Sequence, residues 1–429
     1  MNVHPGTPPP ATATAAPLMS ERRVGLIGAL LVAIGPISMA LFTPAMPQIT
    51  HDFATTSSMV KLTISLYFAG FALAQLVCGP LSDGFGRKPV IMAFMGIYLF
   101  ASIVALVSPG IEVLIVARFL QGIGGSVGVA IARAVVRDLY VGERSARIMN
   151  LIGLILGIGP AFAPTIGGIT MELFGWHAIF VLMVLFGLTV MSICHYALKE
   201  TVTRDLSRIR PRALAASYGK LLSNSYFMSC GLIMAGGVGA FYTLATVLPF
   251  VLMDRIGLSP TVFGFSMLAQ SGAFFLGSLT VRHAMRRFGA FRILPAGMAF
   301  IAAGSLGLAV LLRVFEPSFG LIMAPVALYA YGTAFIMPAM STASLAPFPA
   351  IAGAASAVAG FLQMSGGLVG GLFAGLFADP VTALATVLPA MGLVTLLSWL
   401  WWRSLPEPTM AGTVLSSRTE PPSKDRDAL

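Results

Sequence analysis

Residues 79–89 read Gly79-Pro80-Leu81-Ser82-Asp83-Gly84-Phe85-Gly86-Arg87-Lys88-Pro89, a short polar stretch between two long apolar runs, 59–81 and 89–107. Each run has roughly the 20 apolar residues that a helix needs to cross the hydrocarbon core of a bilayer. The polar residues between the runs are too few to form a domain, and Gly86 permits a tight turn. The stretch therefore predicts two membrane-spanning helices joined by a short charged loop.

Similar apolar runs follow one another along the whole chain. Of its 429 residues, 57% are hydrophobic and 10% are charged, whereas a soluble domain has about 25% charged residues. Lipid tails can cover the apolar surface that polar side chains would have to cover in a soluble protein. We therefore predict an all-α membrane protein with twelve transmembrane helices, at 24–46, 59–81, 89–107, 110–136, 148–171, 176–198, 225–252, 261–281, 293–312, 317–341, 351–377 and 380–402.

A long polar stretch divides the chain near its midpoint. A short basic turn follows the second span of each half, and Gly277 lies 198 residues after Gly79 (277 − 79 = 198). This repeat predicts two six-helix halves, and parallel halves place a substrate cavity at their interface near the midplane. The predicted organisation is a disordered tail (1–23), a first bundle (24–198), a cytoplasmic linker (199–224), a second bundle (225–402) and a disordered tail (403–429).

The distribution of positive charge predicts the orientation. With both termini in the cytoplasm, 22 of the 26 Lys and Arg residues lie on the cytoplasmic side. Lys61, Arg255 and Arg313 lie on the outer side, and Arg118 lies inside the fourth span. A bias of this strength sets orientation by the positive-inside rule, here in a bacterial inner membrane. It also explains the net charge of +10 without a nucleic-acid partner.

Several other classes of membrane protein lack support in the sequence. Cys78, Cys194 and Cys230 lie apart without metal-ligand spacing. The spans contain no Ser/His pair or paired aspartates for catalysis, and the chain has no ATP-binding P-loop. Segments outside the spans are at most about 25 residues long, too short for a sensor domain. We therefore expect no enzyme, no metal and no cofactor.

The polar stretch after the second span carries a recognisable motif. Asp83 and Arg87 place opposite charges at the membrane surface, where they could join one bundle to another, but they also fit a solvated basic turn. The stretch resembles the G-x-L-x-D-x-x-G-R-K signature of the major facilitator superfamily, which stabilises one conformation on the cytoplasmic side. The resemblance implies gating roles for Gly79, Asp83, Gly86, Arg87 and Lys88.

A second motif lies in the fourth span. An arginine inside hydrocarbon is costly unless it faces a cavity or a partner, so Arg118 has either a functional role or a structural one as a cap. The run Arg118-Phe119-Leu120-Gln121-Gly122 resembles the R-x-x-Q-G motif of the same superfamily. That motif is proposed to assist proton coupling, and the resemblance implies this role for Arg118 and Gln121.

A third motif lies in the fifth span, within 157–168. Its prolines remove helix hydrogen bonds and its glycines let backbones approach closely, which fits a kinked packing helix as well as a functional one. The segment resembles the exporters' antiporter motif G-P-x-x-G-G. Ala163 replaces the usual glycine, and this variant resembles the Bcr/CflA subfamily of drug exporters, as does 44–47. The resemblance covers 40–200 well and implies roles for Pro160, Ala163, Pro164, Gly167 and Gly168.

The first span departs from the pattern of drug/proton antiporters. Many of them carry an acid just before the position of Pro44, whereas residues 38–43 contain none. Proton coupling needs a titratable group in an accessible place. Glu112 and Asp138, at the two ends of the fourth span, are the remaining candidates, and each also fits an interfacial acid. Without an embedded carboxylate, a neutral or anionic substrate is favoured if Arg118 faces the cavity.

The resemblance implies a secondary active transporter that exports small hydrophobic compounds by proton antiport with alternating access. The missing acid keeps open an uncoupled facilitator or importer of a small metabolite. The expected partners are a small-molecule substrate, protons and the lipid bilayer, with the proton gradient as driving force and a monomer as the assembly. The predicted substrate-binding residues are Met39, Phe42, Tyr67, Phe241, Tyr242, Gln270 and Gln363.

Overall fold

The computed structural model describes residues 18–140 and 142–406, and every regular element in these residues is helical. A short helix, Pro211–Leu222, lies between the sixth and seventh long helices and is called the linker helix. The twelve long helices are α1 (Glu21–Asp52), α2 (Ser57–Phe85), α3 (Arg87–Leu106), α4 (Ile111–Leu139), α5 (Gly142–Phe174), α6 (Trp176–Ala197), α7 (Ser225–Arg255), α8 (Pro260–Phe288), α9 (Leu294–Val314), α10 (Phe319–Leu345), α11 (Pro349–Gly375) and α12 (Pro380–Ser404).

Each predicted span overlaps one of these helices, which confirms the all-α membrane fold. Over the described residues, eleven helices are long and apolar enough to cross a membrane. The remaining helix, α5, has 33 residues and occupies the position of the predicted fifth span. Most of the predicted tails, 1–17 and 407–429, lies outside the described residues.

Helix α1 is longer than predicted at both ends. It begins at Glu21, where an acid in the first turn interacts favourably with the helix dipole. It continues to Asp52 through a 3-10 turn, Thr43–Ala45. Pro44 is tolerated there because the first residues of a helical segment need no intrahelical donor. The end of α1 is held by Trp176, whose Nε1 donates to Asp52 Oδ2 at 2.9 Å.

Consecutive long helices run in opposite directions, so their ends form two groups. The linker end carries the starts of α1 and α7 together with the linker helix. The far end carries the starts of α2 and α8 and the ends of α5 and α11. One buried cluster is formed mainly by α1–α6 and a second one by α7–α12. Between them, α2 packs along α11 and α5 packs along α8.

Glycines set the distance between the paired helices. A Cβ added to Gly168 of α5 would overlap the carbonyl oxygen of Pro260 in α8, and one added to Gly371 of α11 would lie 2.5 Å from Ser65 Oγ in α2. Since lipid tails are as apolar as leucine, helices in a bilayer associate by close packing rather than by hydrophobic burial. The two halves therefore meet where side chains are smallest.

The linker helix contacts both halves. The Tyr218 hydroxyl donates to the carbonyl oxygen of Leu76 in α2. Burial raises the pKa of this phenol to about 12, so it stays a neutral donor at ordinary pH. Leu221 is fully buried and packs in a cluster with Phe227 of α7 and Phe348. The segment between the halves is thus fastened to the membrane bundle.

The close packing of α1 and α4 gives a stability test. A Cβ on Gly128 of α4 would overlap the Leu31 carbonyl oxygen, whereas nothing lies within 4 Å of one on Gly96 of α3. We expect Gly128→Ala to lower the thermal unfolding midpoint of the detergent-purified protein by several degrees, because the backbones must separate. Gly96→Ala should leave the midpoint unchanged or raise it, since alanine favours helix by up to about 1 kcal/mol. Equal midpoints for the two variants would contradict this packing.

Candidate functional site

A cavity of about 320 Å³ lies between the two halves, near the middle of the helices. Residues of α1, α5, α7, α8, α10 and α11 form its walls. Its position matches the midplane site expected between two parallel bundles. Five of the predicted substrate-binding residues line it: Met39, Phe241, Tyr242, Gln270 and Gln363.

Several lining residues were not predicted from the sequence. In α8 the residues that face the cavity are Phe263, Met267, Gln270, Ser271 and Phe274. The positions 263, 267, 270 and 274 follow the helical period of one face. Once Gln270 is assigned to the cavity, this periodicity could have identified the other three. In the remaining helices, apolar on every side, the sequence offers no comparable signal for which face is inward.

The cavity wall has no charged side chain among its described residues. It consists of aromatic rings, methionines and small residues, with a few amide and hydroxyl groups. The side chains of Tyr242 and Gln363 interact through their polar groups, which brings a lining residue of α7 together with one of α11. The Phe68 ring of α2 packs against the Tyr242 ring, with ring centroids 4.8 Å apart. The site can therefore offer apolar contact and neutral hydrogen bonds.

Two predicted substrate-binding residues lie elsewhere. The rings of Phe42 and Tyr67 stack on the Arg118 guanidinium, each with its centroid 4.5 Å from Cζ. Both rings are nearly fully buried, and neither belongs to the cavity wall. The prediction placed these two rings on the cavity side of α1 and α2. In the structure, each helix is turned about its axis so that the ring lies on another side. An arginine in hydrocarbon instead attracts them by cation–π contact.

Arg118 itself is completely buried, with 0% exposure. Its Nη1 donates to Gln121 Oε1, and Gln121 Nε2 donates to Ser102 Oγ at 2.7 Å. Arg118 Nε and Nη2 have no hydrogen-bond partner among the described residues. Within 18–140 and 142–406, no carboxylate pairs with it. Arg118 could act on a substrate directly only if it were exposed to the cavity. In this conformation it is not exposed there.

The two acids predicted as coupling candidates lie at opposite ends of α4. Glu112 is exposed in the first turn, at the far end. Asp138 is at the linker end, 20 residues from Arg118, a rise of about 30 Å along the helix. Neither acid belongs to the Arg118 cluster. Asp138 instead belongs to a second cluster, formed around the charged loop.

Arg87 is the centre of this second cluster and is 5% exposed. Its Nη1 lies 2.5 Å from Asp83 Oδ1 and donates to Ser82 Oγ at 2.7 Å. Its Nε donates to Asp138 Oδ2 at 3.0 Å, and Thr201 Oγ1 donates to the same carboxylate oxygen at 2.8 Å. The described contacts of Arg87 therefore join α2, α3, α4 and the start of the linker, all on the side of the first bundle.

Glu200 completes the cluster, and it was not among the residues predicted from the sequence. Its carboxylate accepts the backbone N–H groups of Arg87 at 2.8 Å and Lys88 at 2.9 Å, at the start of α3. An acid at a helix N-terminus interacts favourably with the unpaired amides and the dipole. Gly86 has a φ of 100°, and a Cβ there would lie 2.8 Å from Glu200 Oε2. By contrast, nothing lies within 4 Å of a Cβ on Gly79.

The antiporter-motif residues form the junction of α1, α5 and α8. Pro164 lines the cavity, and Ala163 is buried beside it. A Cβ on Gly167 would overlap the Leu41 carbonyl oxygen of α1, just as one on Gly168 would overlap that of Pro260. Pro160 lies within α5, and its side chain is outside the described set. The motif therefore forms a small part of the cavity wall and part of the contact between the halves.

Two bundles of six helices around a midplane cavity form the architecture of a secondary transporter. The sequence model of the Major Facilitator Superfamily matches residues 28–371, which is most of the chain. The protein therefore belongs to the major facilitator superfamily, a family of multi-pass membrane transporters.

Curated relatives and solved structures agree with this assignment. Multidrug resistance protein D of Escherichia coli strain K12 is 29% identical over 379 residues, 86% of this chain and 93% of that protein. Multidrug resistance protein MdtL of Shewanella sp. strain ANA-3 is 28% identical over 342 residues, 78% of this chain and 84% of that protein. A bacterial homologue of the human lysosomal transporter Spinster, crystallised in an inward-facing and occupied conformation, has a TM-score of 0.67 at 16% identity, covering 89% of this chain and 95% of that chain.

The two acids that pair with Arg87 should contribute unequally to stability. Asp138 has two hydrogen-bond partners and is 22% exposed, whereas the Asp83 side chain is 50% exposed and pairs with Arg87. We expect Asp138→Asn to lower the unfolding midpoint more than Asp83→Asn, whose half-exposed ion pair contributes at most about 1 kcal/mol. Thermal unfolding of the purified variants measures this, with the exposed Glu143→Gln as control. A larger effect of Asp83→Asn would contradict the geometry.

Proposed function

We propose that the protein exports small, hydrophobic, uncharged compounds by proton antiport. The cavity between the halves carries this proposal, since its walls are apolar and aromatic with a few neutral hydrogen-bonding groups. Burying an unpaired charge in such a site costs far more than burying a neutral amide or hydroxyl that finds a partner. Methionines such as Met39 and Met267 adapt their shape to different ligands, which suits a transporter with several substrates.

Export rather than import is supported by two observations. The antiporter-motif residues Pro164 and Gly168 stand at the cavity wall and at the α5–α8 contact. Both of the relatives described above are named multidrug resistance proteins and align over most of their length. In alternating access, the two halves rock about the central site and expose it to one side at a time.

The proposed orientation places the linker end and both termini in the cytoplasm of a bacterial cell, with the helices in the inner membrane. The positive-inside rule supports this, because 22 of the 26 Lys and Arg residues then lie at the linker end or in the tails beyond it. The far end accordingly faces the outside. We propose a monomer with the proton gradient as the energy source and no bound cofactor.

Proteoliposomes with an imposed pH gradient test the whole proposal. A panel of hydrophobic compounds, neutral, cationic and anionic, is offered on the linker side of the membrane. We expect neutral compounds to move against their concentration gradient and to stop when the pH gradient is collapsed. Equilibration that ignores the pH gradient would replace this proposal by an uncoupled facilitator.

The neutral wall of the cavity gives a gain-of-function test. Gln363→Glu and Gln270→Glu place a carboxylate in the cavity without changing side-chain size. We expect either variant to bind a quaternary ammonium probe about tenfold tighter than the unmodified protein does, because a buried cation gains a charge-assisted partner. Fluorescence binding to the detergent-purified protein measures this.

A surface variant and a neutral probe control this experiment. Gln48→Glu makes the same change in charge at an exposed position of α1 and should not alter affinity. A neutral aromatic amide of similar size should bind the unmodified protein well. Strong binding of the quaternary ammonium probe to the unmodified protein would overturn the assignment of uncharged substrates.

A further inference from the structure

Two charged residues at the far end, Lys61 of α2 and Glu172 of α5, join the two halves. From the positive-inside rule, Lys61 was predicted only to be one of the few basic residues on the outer face. Lys61 is instead fully buried, with 0% exposure, and its contacts are with the second half. Glu172 likewise reaches the second half rather than its own bundle.

Lys61 lies against the C-terminal end of α11. Its Nζ is 3.5 Å from the carbonyl oxygen of Ala374, and Ser58 Oγ donates to that of Gly375 at 2.7 Å. The last carbonyls of a helix lack the usual partner four residues later and carry the negative end of its dipole. The Ala374 oxygen also accepts the backbone N–H of Phe377, at 3.4 Å. The centroid of the Phe250 ring lies 5.4 Å from the ammonium. The lysine charge is thus satisfied largely by groups of the second half.

The only described acid that acts on Lys61 is already engaged. Asp379, in the turn after α11, attracts Lys61 electrostatically. Its Oδ2 accepts the backbone N–H of Thr382 at 2.8 Å, and Oδ1 lies 3.9 Å from Arg255. Asp379 therefore caps α12 and stays in the second half. The direct contact of Lys61 is with the end of α11.

Glu172 makes the complementary contact at the N-terminal end of α8. Its Oε2 accepts the backbone N–H of Thr261 at 3.1 Å and lies 3.2 Å from Ser259 Oγ. The first N–H groups of a helix lack intrahelical acceptors, and they carry the positive end of the dipole. Gly168, one turn earlier in α5, holds the two helices close enough for this contact.

The two contacts occupy equivalent places in the two halves. The start of α2 meets the end of α11, and the start of α8 meets the end of α5. Position 61 shifted by the 198-residue repeat is position 259, so Lys61 corresponds to the residue that faces Glu172. In each case the first half supplies the charge and the second half supplies the helix end of opposite polarity.

We propose that Lys61 and Glu172 are the residues that hold the far end of the transporter closed. To open the cavity towards the far end, α2 must leave α11 and α5 must leave α8. Each separation takes a charge away from the helix end that satisfied it, the buried charge of Lys61 in one case and the exposed charge of Glu172 in the other. The closed state is therefore favoured by two charge–dipole contacts on opposite edges of the interface, and losing either one shifts the equilibrium towards the open state.

Distances between spin labels across the far end test this directly. Labels are placed on Ser57→Cys and Leu376→Cys for the α2–α11 edge, and on Phe174→Cys and Val262→Cys for the α5–α8 edge. The three native cysteines, all buried, are first replaced by alanine. Double electron–electron resonance in lipid nanodiscs then gives the ratio of long-distance to short-distance populations. The measurement needs no substrate and no gradient, so its outcome is independent of the proposed function.

Lys61→Met should raise that ratio about fivefold, because it removes a buried charge from a helix end. Glu172→Gln should raise it by a smaller factor, because the carboxylate that it removes is exposed to solvent. The double variant should raise it by the product of the two single effects if the two contacts contribute independently. Lys61→Arg keeps the charge and should keep the far end closed. Ser259→Ala, which removes a single neutral partner of Glu172, should have a small effect in the same direction.

Two matched controls remove far-end charges that do not join the halves. Arg313 donates to the carbonyl oxygens of Ala309 and Ala385, both in the second half. Glu112 is exposed at the start of α4 and has no described contact with the second half. Arg313→Met and Glu112→Gln should leave the distance populations unchanged. Unchanged populations in Lys61→Met and Glu172→Gln, or equal shifts in the two controls, would overturn the proposal.

Discussion

This structure depends on the close approach of the backbones of neighbouring helices. Helices in a bilayer gain little by burying apolar surface against one another, since lipid already provides an apolar environment. What they can gain is packing contact, and this grows as the helix axes approach. Glycines such as Gly128, Gly168 and Gly371 lie where such approaches occur, within a half or between halves. The same glycines leave no room for a larger residue.

Charges in such a protein have to be satisfied by what the helices offer. Arg118 is held between two aromatic rings and an amide. Arg87 is held by two carboxylates, and Lys61 lies at the end of a helix. These three sets of contacts differ in whether they oppose the movement of one half relative to the other. The described partners of Arg118 and Arg87 lie in the first bundle or at the start of the linker, so rocking of the halves need not disturb them, whereas those of Lys61 include the second half.

Much of the fold could be predicted from hydropathy and charge, because a run of about 20 apolar residues in a sequence indicates a transmembrane helix. The rotation of each helix did not follow, because a helix that is apolar all round has no polar face to mark the side towards lipid. Met39 and Phe42 illustrate this, since both were assigned to the cavity and Phe42 instead packs on Arg118. Glu200 was missed because the helix start that it caps, at Arg87 and Lys88, lies more than a hundred residues away in the chain.

The linker helix carries a consequence for the pace of the transport cycle. It is bonded to α2 through Tyr218 and packed against α7 through Leu221, so it bridges the two halves at the linker end. In the proposed orientation this is the end at which substrate enters. A flexible loop there would let the bundles separate to any width. A helix that contacts both bundles limits their separation. Each time the linker end opens, this helix must either detach from one bundle or move together with the other. The segment between the halves would in that way limit how far and how fast the entrance opens.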